Sequence, residues 1–191
     1  MEPMIRSALL AVSVLVSVPA LLAGPVRADP PPALNDLVDA AAQRLQTADP
    51  VAASKWLSGG PITDPARVRQ VLDMVTADAE SAGVPADYVM TVFTDQIDAT
   101  EGIQYNRFSW WKFDPAAAPA TAPDLSASRS AIDGLNHEMV SQIGVQWPVL
   151  QSPNCAVALA SAKASVADAR QLDPLYRQAL RFADNRGLHI V

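Results

Sequence analysis

VMTVFTDQIDATEGIQYNRFSWWK, residues 89–112, decides the fold of this chain. Its apolar residues recur at helical spacing and define one stripe, made of Val89, Val92, Phe93, Ile103 and Trp111. An alternation of apolar and polar residues with period two is nowhere sustained, so the sequence offers no convincing strand. The stretch therefore predicts one long helix, and an all-α fold is the expectation for the whole chain.

Start and stop signals divide the rest of the chain into further helices. Asp-Pro pairs at 49–50, 64–65 and 173–174 each supply a capping carboxylate and a proline for the first helical position. Pro148 is expected to end one helix, and the Ala- and Pro-rich residues 114–123 form the clearest loop. The predicted helical segments are 33–47, 50–56, 65–83, 85–112, 125–147, 155–170 and 174–184. We expect an all-α helical bundle of about six helices with short connections.

The N-terminus has the pattern of an export signal. Arg6 supplies a positive region, residues 8–22 an apolar run that contains Pro19, and residues 26–28 a small-x-small cleavage site. We expect residues 1–28 to be removed as a signal peptide, leaving 29–191 as a single domain in the periplasm, the cell envelope or the medium. Removal takes away one acidic and two basic residues and moves the net charge from -6 to -7. This balance argues against nucleic acid or an anionic membrane as a partner.

The reactive residue types are sparse. Cys155 is the only cysteine, so no intrachain disulfide can form, and a small buried thiol is favoured over pairing between chains. The two histidines, His137 and His189, are far apart and belong to no cluster with metal-ligand spacing. We expect no metal site.

Polar residues interrupt the apolar faces of two predicted helices. Thr100, Gln104 and Arg107 fall inside the stripe of residues 89–112, and Arg129 lies among apolar neighbours in 125–147. A buried polar group without a partner costs about 1–3 kcal/mol in proteins, and an unpaired charge costs more. Such residues are therefore paired within the fold or wait for a ligand that pairs them.

The choice between internal pairing and ligand contact differs from residue to residue. Ligand contact is favoured for Arg129, whereas Gln104 taken alone reads as a satisfied core amide. Arg107 is expected to pair with a buried acid, Glu101 or Asp133. For Arg44, at the edge of its apolar face, a structural ion pair explains the position as well as a ligand does. Near helix ends, Lys55 and Arg67 would ordinarily be solvated. Several cations that converge in an acidic protein suggest a small anionic ligand with several carboxylates.

Three blocks carry a family resemblance. LVDAAAQRLQTADPVAASKW (37–56), DQIDATEGIQYNRFSWWK (95–112) and DLSASRSAID (124–133) resemble the all-helical type II chorismate mutases, with the exported gamma-type subclass most similar. The likeness covers roughly residues 33–150. It implies an all-α homodimer with a separate active site in each protomer. It also implies that chorismate is converted to prephenate without a cofactor.

The resemblance implies roles for seven residues. Arg44 matches an arginine for a substrate carboxylate, and Lys55 matches a lysine that contacts the ether oxygen and a carboxylate. Arg129 is similar to the arginine for the second carboxylate, and Arg67 to a further active-site arginine. The three residues carried over from the long helix are Thr100 as a hydroxyl donor, Gln104 as the second donor to the ether oxygen, and Glu101 as their neighbour.

Three departures from the family pattern bear on function. Relatives of the gamma type carry Glu where Gln104 stands, and Val71 occupies a place where a polar residue near the substrate hydroxyl is expected. Gln70 points about 100° away from it, so that hydroxyl contact is shifted, with Glu101 as one candidate, or the alignment of this helix is off. Exported relatives also staple C-terminal helices with a disulfide, for which Cys155 has no partner.

Two alternatives to an enzyme remain, each from another class of protein. One is a non-catalytic exported helical binding protein for a small dicarboxylate. The presence of both Lys55 and Gln104 speaks against it, because pure binding does not need two donors at an ether oxygen. The other is an interaction protein whose buried arginines are only structural.

Overall fold

The computed structural model describes residues 32–183, and these residues form only helices, turns and loops. The seven α-helices of this part are α1 (Asn35–Gln46), α2 (Ala48–Ser58), α3 (Pro65–Ala82), α4 (Ala86–Phe113), α5 (Leu125–Leu150), α6 (Cys155–Ala169) and α7 (Pro174–Ala183). One turn of 3₁₀-helix, Pro115–Ala117, follows α4. The all-α prediction is confirmed. The predicted signal peptide and His189 lie outside the described residues.

Capping explains most of the helix boundaries. The Asp64 carboxylate accepts a hydrogen bond from the backbone N–H of Arg67 at 3.1 Å, and Asp173 accepts one from Tyr176 at 2.9 Å. At the other ends, Gly59 and Gly83 adopt the left-handed conformation, with φ of 69° and 68°. The Asp-Pro signals at 64–65 and 173–174 therefore predict helix starts correctly.

Two predicted boundaries are wrong. Helix α2 begins at Ala48 with Thr47 before it, so Asp49 lies in the first turn instead of capping it. Its carboxylate is used by Arg107 of α4. Helix α5 does not end near Pro148 but continues to Leu150, and the backbone N–H of Gln151 still donates to the Trp147 carbonyl at 3.1 Å. A proline in the last turn removes a single helical hydrogen bond, which the remaining ones tolerate.

Helix α1 lies at the centre of the bundle. It contacts α2, α4, α5, α6 and α7, while α3 packs against α4 and α5. Leu37, Val38 and Leu45 of α1 are completely buried. The predicted stripe of α4 is also confirmed, since all five of its members are buried.

A smaller aromatic cluster holds α2 against the C-terminal part of α4. Trp56 meets Phe108 edge-to-face with ring centroids 5.2 Å apart, and it meets Trp111 at 5.5 Å. These contacts fix α2, and with it Lys55, one residue before Trp56.

Two further features concern thiol chemistry and membranes. The Cys155 thiol is buried, at 4% exposure, and burial raises its pKa. Within residues 32–183 no helix has the length and apolar character that crossing a bilayer requires.

At Gly144, α5 lies close to the end of α3. A Cβ atom at this position would lie 3.3 Å from the Cβ of Ala82 and 3.4 Å from its carbonyl oxygen. Gly134, on the same helix, faces open space, because nothing lies within 4 Å of its would-be Cβ. A larger side chain would therefore meet α3 at position 144 but not at position 134.

We expect Gly144→Val to lower the free energy of unfolding by about 1–3 kcal/mol, because the added methyl groups force α3 and α5 apart. Gly134→Ala is the matched control and should raise it by about 0.5–1 kcal/mol, since only helix propensity changes there. Urea titration followed by circular dichroism measures both. Equal effects of the two substitutions would contradict the close approach at Gly144.

Candidate active site

A cleft that is open to solvent lies between α1, α2, α3, α4 and α5. All seven residues that the resemblance singled out line it, together with apolar side chains and one further carboxylate. The full lining is Arg44, Val51, Lys55, Ile62, Asp64, Arg67, Val68, Val71, Ile97, Thr100, Glu101, Gln104, Leu125, Arg129 and Ile132.

Arg44 is the most deeply buried cation of the cleft, at 3% exposure. Its Nε donates to the Oδ1 of Asn136 at 2.7 Å, and its Nη1 donates to the Thr100 hydroxyl at 3.3 Å. Its guanidinium carbon lies 5.7 Å from the centre of the Phe93 ring. No carboxylate within residues 32–183 forms an ion pair with it, so the alternative of a structural ion pair is not realised there.

The burial of Arg44 changes its acidity. Desolvation, with a smaller contribution from the positive charge of Arg67, lowers the pKa of Arg44 to about 10. The group is thus still cationic at neutral pH, and its charge is available to an anion that enters the cleft.

Helices α3 and α5 exchange two ion pairs beside the cleft. Arg67 of α3 reaches Asp133 of α5 at 2.5 Å, and Arg129 of α5 reaches Asp64, the capping residue of α3, at 2.9 Å. One carboxylate oxygen of Asp64 caps the helix while the other binds Arg129. We call this arrangement the α3–α5 clasp, and it fixes the positions of two cleft arginines at once.

The exposures of the two clasp arginines reverse the expectation from sequence. Arg67, which would ordinarily be solvated, is only 16% exposed, because its side chain runs into the gap between α3 and α5. Arg129, predicted among apolar neighbours, keeps a side chain that is 41% exposed and borders the cleft.

Lys55 comes from α2 and is half-buried. Its ammonium group donates to the backbone carbonyl of Ile62. Burial lowers the pKa of Lys55, Arg129 adds to that effect, and the carboxylates of Glu101 and Asp64 oppose it. The ammonium is therefore partly desolvated inside the cleft.

Gln104 is buried at 3% exposure, yet it is not a satisfied core amide. Its Nε2 makes one long hydrogen bond of 3.4 Å to the Thr100 carbonyl, and its Oε1 has no hydrogen-bond partner within the described residues. The Thr100 hydroxyl in turn donates to the Gln96 carbonyl at 2.7 Å. A buried amide that its own fold does not satisfy is a group that a ligand can satisfy.

Glu101 is held at the opening of the cleft. The Thr63 hydroxyl donates to it at 2.8 Å, and the same Thr63 oxygen lies 3.1 Å from the Tyr105 hydroxyl. Val71 also lines the cleft, whereas Gln70 lies outside it and accepts a hydrogen bond from Arg67 at 2.9 Å. Glu101 and Asp64 are therefore the two carboxylates in the lining of the cleft.

Arg107 does not belong to the cleft, and the partners predicted for it are wrong. It pairs with neither Glu101 nor Asp133 but with Asp49 of α2, through bonds of 2.7 and 3.1 Å. The Asp49 carboxylate raises the pKa of Arg107. Arg107 lies six positions after Glu101 on α4, and its guanidinium contacts Asp49 of α2 and, at 3.9 Å, Asp173 just before α7.

Four residues near the cleft were not assigned to a site from the sequence. Asp64 was recognised only as a helix cap and Asp133 only as a possible partner of Arg107. Thr63 and Asn136 gave no signal, because each acts across helices that are distant in sequence. Within residues 32–183 no three His, Cys, Asp or Glu residues are grouped as metal ligands.

The charge of the cleft is opposite to that of the chain. Its lining contains four basic and two acidic side chains, a formal charge of +2, whereas the whole chain carries -6. With the cations placed around a partly apolar cavity, the arrangement fits a small ligand that bears two carboxylates.

Comparisons with known proteins point to one family. The model of the family "chorismate mutase type II" matches residues 35–105. A secreted chorismate mutase of Mycolicibacterium smegmatis is 57% identical over 156 residues, which cover 82% of this chain and 86% of that protein. A secreted chorismate mutase of Mycobacterium tuberculosis is 52% identical over 173 residues, covering 90% and 87%.

Solved structures agree with these relatives. The crystal structure of a chorismate mutase from Burkholderia phymatum superposes with a TM-score of 0.78 at 32% identity, covering 83% of this chain and 97% of that one. The secreted chorismate mutase from Yersinia pestis, at 22% identity and a TM-score of 0.62, shares the fold.

The two tasks of Asp64 can be separated by substitution. Asp64→Ala loses both the helix cap and the ion pair to Arg129, and we expect the free energy of unfolding to fall by about 1–2 kcal/mol. Asp64→Asn keeps a capping side chain and loses only a partly exposed pair, so its effect should stay below about 1 kcal/mol. Chemical denaturation of the two variants measures the difference. Equal losses would mean that the cap contributes nothing.

Proposed function

The chain belongs to the type II chorismate mutases, and we propose that the cleft around Arg44 is where it rearranges chorismate to prephenate. Like its secreted relatives it is a chorismate mutase, an isomerase. The observation that carries the assignment of the site is the set of four cations in the cleft, which suits a dicarboxylate, beside the buried Gln104 amide, whose Nε2 donates only one long hydrogen bond.

The first task of the cleft is to hold the substrate in a compact conformation. The rearrangement is unimolecular and needs no nucleophile or general base. Its barrier falls when the enol-pyruvyl side chain is folded over the ring. We assign one substrate carboxylate to Arg44 and the other to Arg129, with Arg67 beside them. Because these arginines come from three different helices, they restrain both ends of the substrate.

The second task is to stabilise charge that develops on the ether oxygen as its C–O bond breaks. Lys55 from α2 and the Gln104 amide from α4 line the same cleft and supply two donors from different helices. Such preorganised donors typically contribute on the order of 10²–10³ in rate. The long bond from Gln104 to the Thr100 carbonyl is weak, so the amide can turn toward the ether oxygen.

Glu101 is proposed to accept the hydrogen bond of the substrate hydroxyl. Val71 faces the cleft and offers no polar group, and Gln70 points elsewhere. The carboxylate of Glu101 is already oriented by Thr63. Recognition of the hydroxyl has therefore moved from α3 to α4 in this proposal.

Export and assembly extend the proposal. We propose that residues 1–28 are the signal that directs the enzyme out of the cytoplasm, as the names of its secreted relatives suggest. A homodimer is proposed from the family resemblance, and large exposed apolar side chains such as Trp110 and Phe113 are compatible with it. Light scattering of the purified mature chain measures the assembly state.

The direct test is the loss of chorismate absorbance with purified residues 29–191. We expect rapid turnover to prephenate in the wild type. Arg129→Ala should lower kcat/KM about ten- to a hundredfold, because one charged contact to a carboxylate is lost. Absence of turnover, with chorismate still raising the Tm, would favour a dicarboxylate-binding protein. Absence of both would leave the cleft cations as structural groups.

The pH profile tests the two donors. We expect kcat/KM to be flat between about pH 5 and 8, because the Gln104 amide does not need a proton to donate. It should fall at alkaline pH, as Lys55, whose pKa burial lowers from 10.5, loses the proton that makes it a cation. A steep loss above about pH 6 that disappears in Gln104→Leu would contradict this assignment.

A further inference from the structure

Asn136 of α5 is completely buried and does not line the cleft. Its Oδ1 accepts the Nε–H of Arg44 at 2.7 Å, across 92 positions of sequence. Its Nδ2 has no hydrogen-bond partner within the described residues. The Asn136 amide is thus fully buried, with its Oδ1 bound to Arg44 and its Nδ2 without a hydrogen-bond partner within the described residues.

The other arginines that cross between helices are held differently. Arg67, Arg107 and Arg129 are each held by an aspartate, and the same is true of Arg170 with Asp39. Arg44, more buried than any of these, is held by an amide and a hydroxyl. A buried cation is costly unless a charge pairs it, so a neutral amide in place of an aspartate runs against the trend in this chain.

The difference between an amide and a carboxylate lies in the charge. Either side chain accepts a hydrogen bond from Nε and fixes the plane of the guanidinium. A carboxylate also neutralises the cation, and an anion that arrives later meets a pair with little net charge. An amide orients the guanidinium and leaves its full charge for the cleft. No acceptor within residues 32–183 occupies the Nη2 of Arg44.

We propose that Asn136 is a positioning residue for substrate affinity: its neutral amide aims Arg44 into the cleft while it keeps the guanidinium charge free for a carboxylate of the substrate. This inference rests on the proposed function and adds to it a residue that does not touch the substrate. The cost is borne by the empty protein, which holds an unneutralised buried cation at the junction of α1, α4 and α5.

Substituting Asn136 by Asp distinguishes this proposal from a purely structural role, because the two side chains have nearly the same shape and differ in charge. If Asn136 served only as an acceptor that tethers α5 to α1, Asp would accept the same bond more strongly and activity would persist. If the absence of charge matters, Asp stabilises the empty protein and weakens substrate binding.

The experiment compares Asn136→Asp with the wild type in chorismate turnover and in thermal unfolding. We expect KM to rise about ten- to a hundredfold with kcat changed less than about threefold, because contacts equal in ground and transition state appear in KM. The Tm should not fall. Asn106→Asp, which adds the same charge on an exposed position of α4, should leave KM within about twofold.

A third variant, Asn136→Leu, removes the acceptor without adding a charge, and its Tm should fall below that of Asn136→Asp. A KM in Asn136→Asp within about twofold of the wild type would overturn the proposal. So would a Tm well below the wild type, or failure of that variant to fold, because the new carboxylate is expected to be stabilised by Arg44. Failure of the wild type to turn over chorismate would instead refute the proposed function.

Discussion

The burial of one positive charge organises this fold. Arg44 sits on α1 at 3% exposure, and the hydrogen-bond partners of its guanidinium within residues 32–183 are the side chains of Asn136 and Thr100. An unpaired buried cation is strongly unfavourable, so those two contacts, with the nearby Phe93 ring, must be kept. Because they come from α4 and α5, the bundle must be assembled before the cleft has its shape.

In the α3–α5 clasp, the positive charges are stabilised by ion pairs and not by neutral side chains. Arg67 and Arg129 are neutralised by aspartates of the facing helix, which is affordable because both sites are nearer to solvent. The cleft therefore contains cations of two kinds. Those of the clasp are already paired with aspartates, whereas Arg44 forms no ion pair with a carboxylate within residues 32–183. Discrimination among anions is expected to rest mainly on Arg44, since binding there displaces no internal carboxylate.

Local sequence signals predicted most of the helices, whereas the ion-pair partners of long side chains could not be predicted from sequence. Asp64 and Asp173 predicted helix starts because capping depends on a few neighbouring residues. Pro148 misled the prediction because a proline in a last turn sacrifices only one bond. Arg107 was misassigned because a side chain of that length has several acids within reach, and periodicity gives direction but not which helix lies opposite.

For the candidate site, the sequence predicted which residues belong to it better than it predicted how deeply they are buried. The family resemblance selected the seven residues that meet in the cleft, six of them in the three blocks and Arg67 in the segment after Asp64-Pro65. Helical periodicity alone had left Gln104 as a core amide and Arg67 as solvated. Burial depends on which helices pack together, which composition and spacing do not determine. Asn136 had no sequence signal at all, because an asparagine on an apolar face looks the same whether it faces a cation or a void.

The double use of Asp64 has a consequence for how this site can change over generations. One oxygen starts α3 and the other holds Arg129. Asparagine can do the first task and not the second, while glutamate keeps the charge on a side chain too long for a good cap. A single codon change at this position therefore alters the folding of one helix or the setting of the other helix's arginine. Mutational drift toward new ligands should proceed through residues with one task, such as Val71 or Glu101, and leave this aspartate in place.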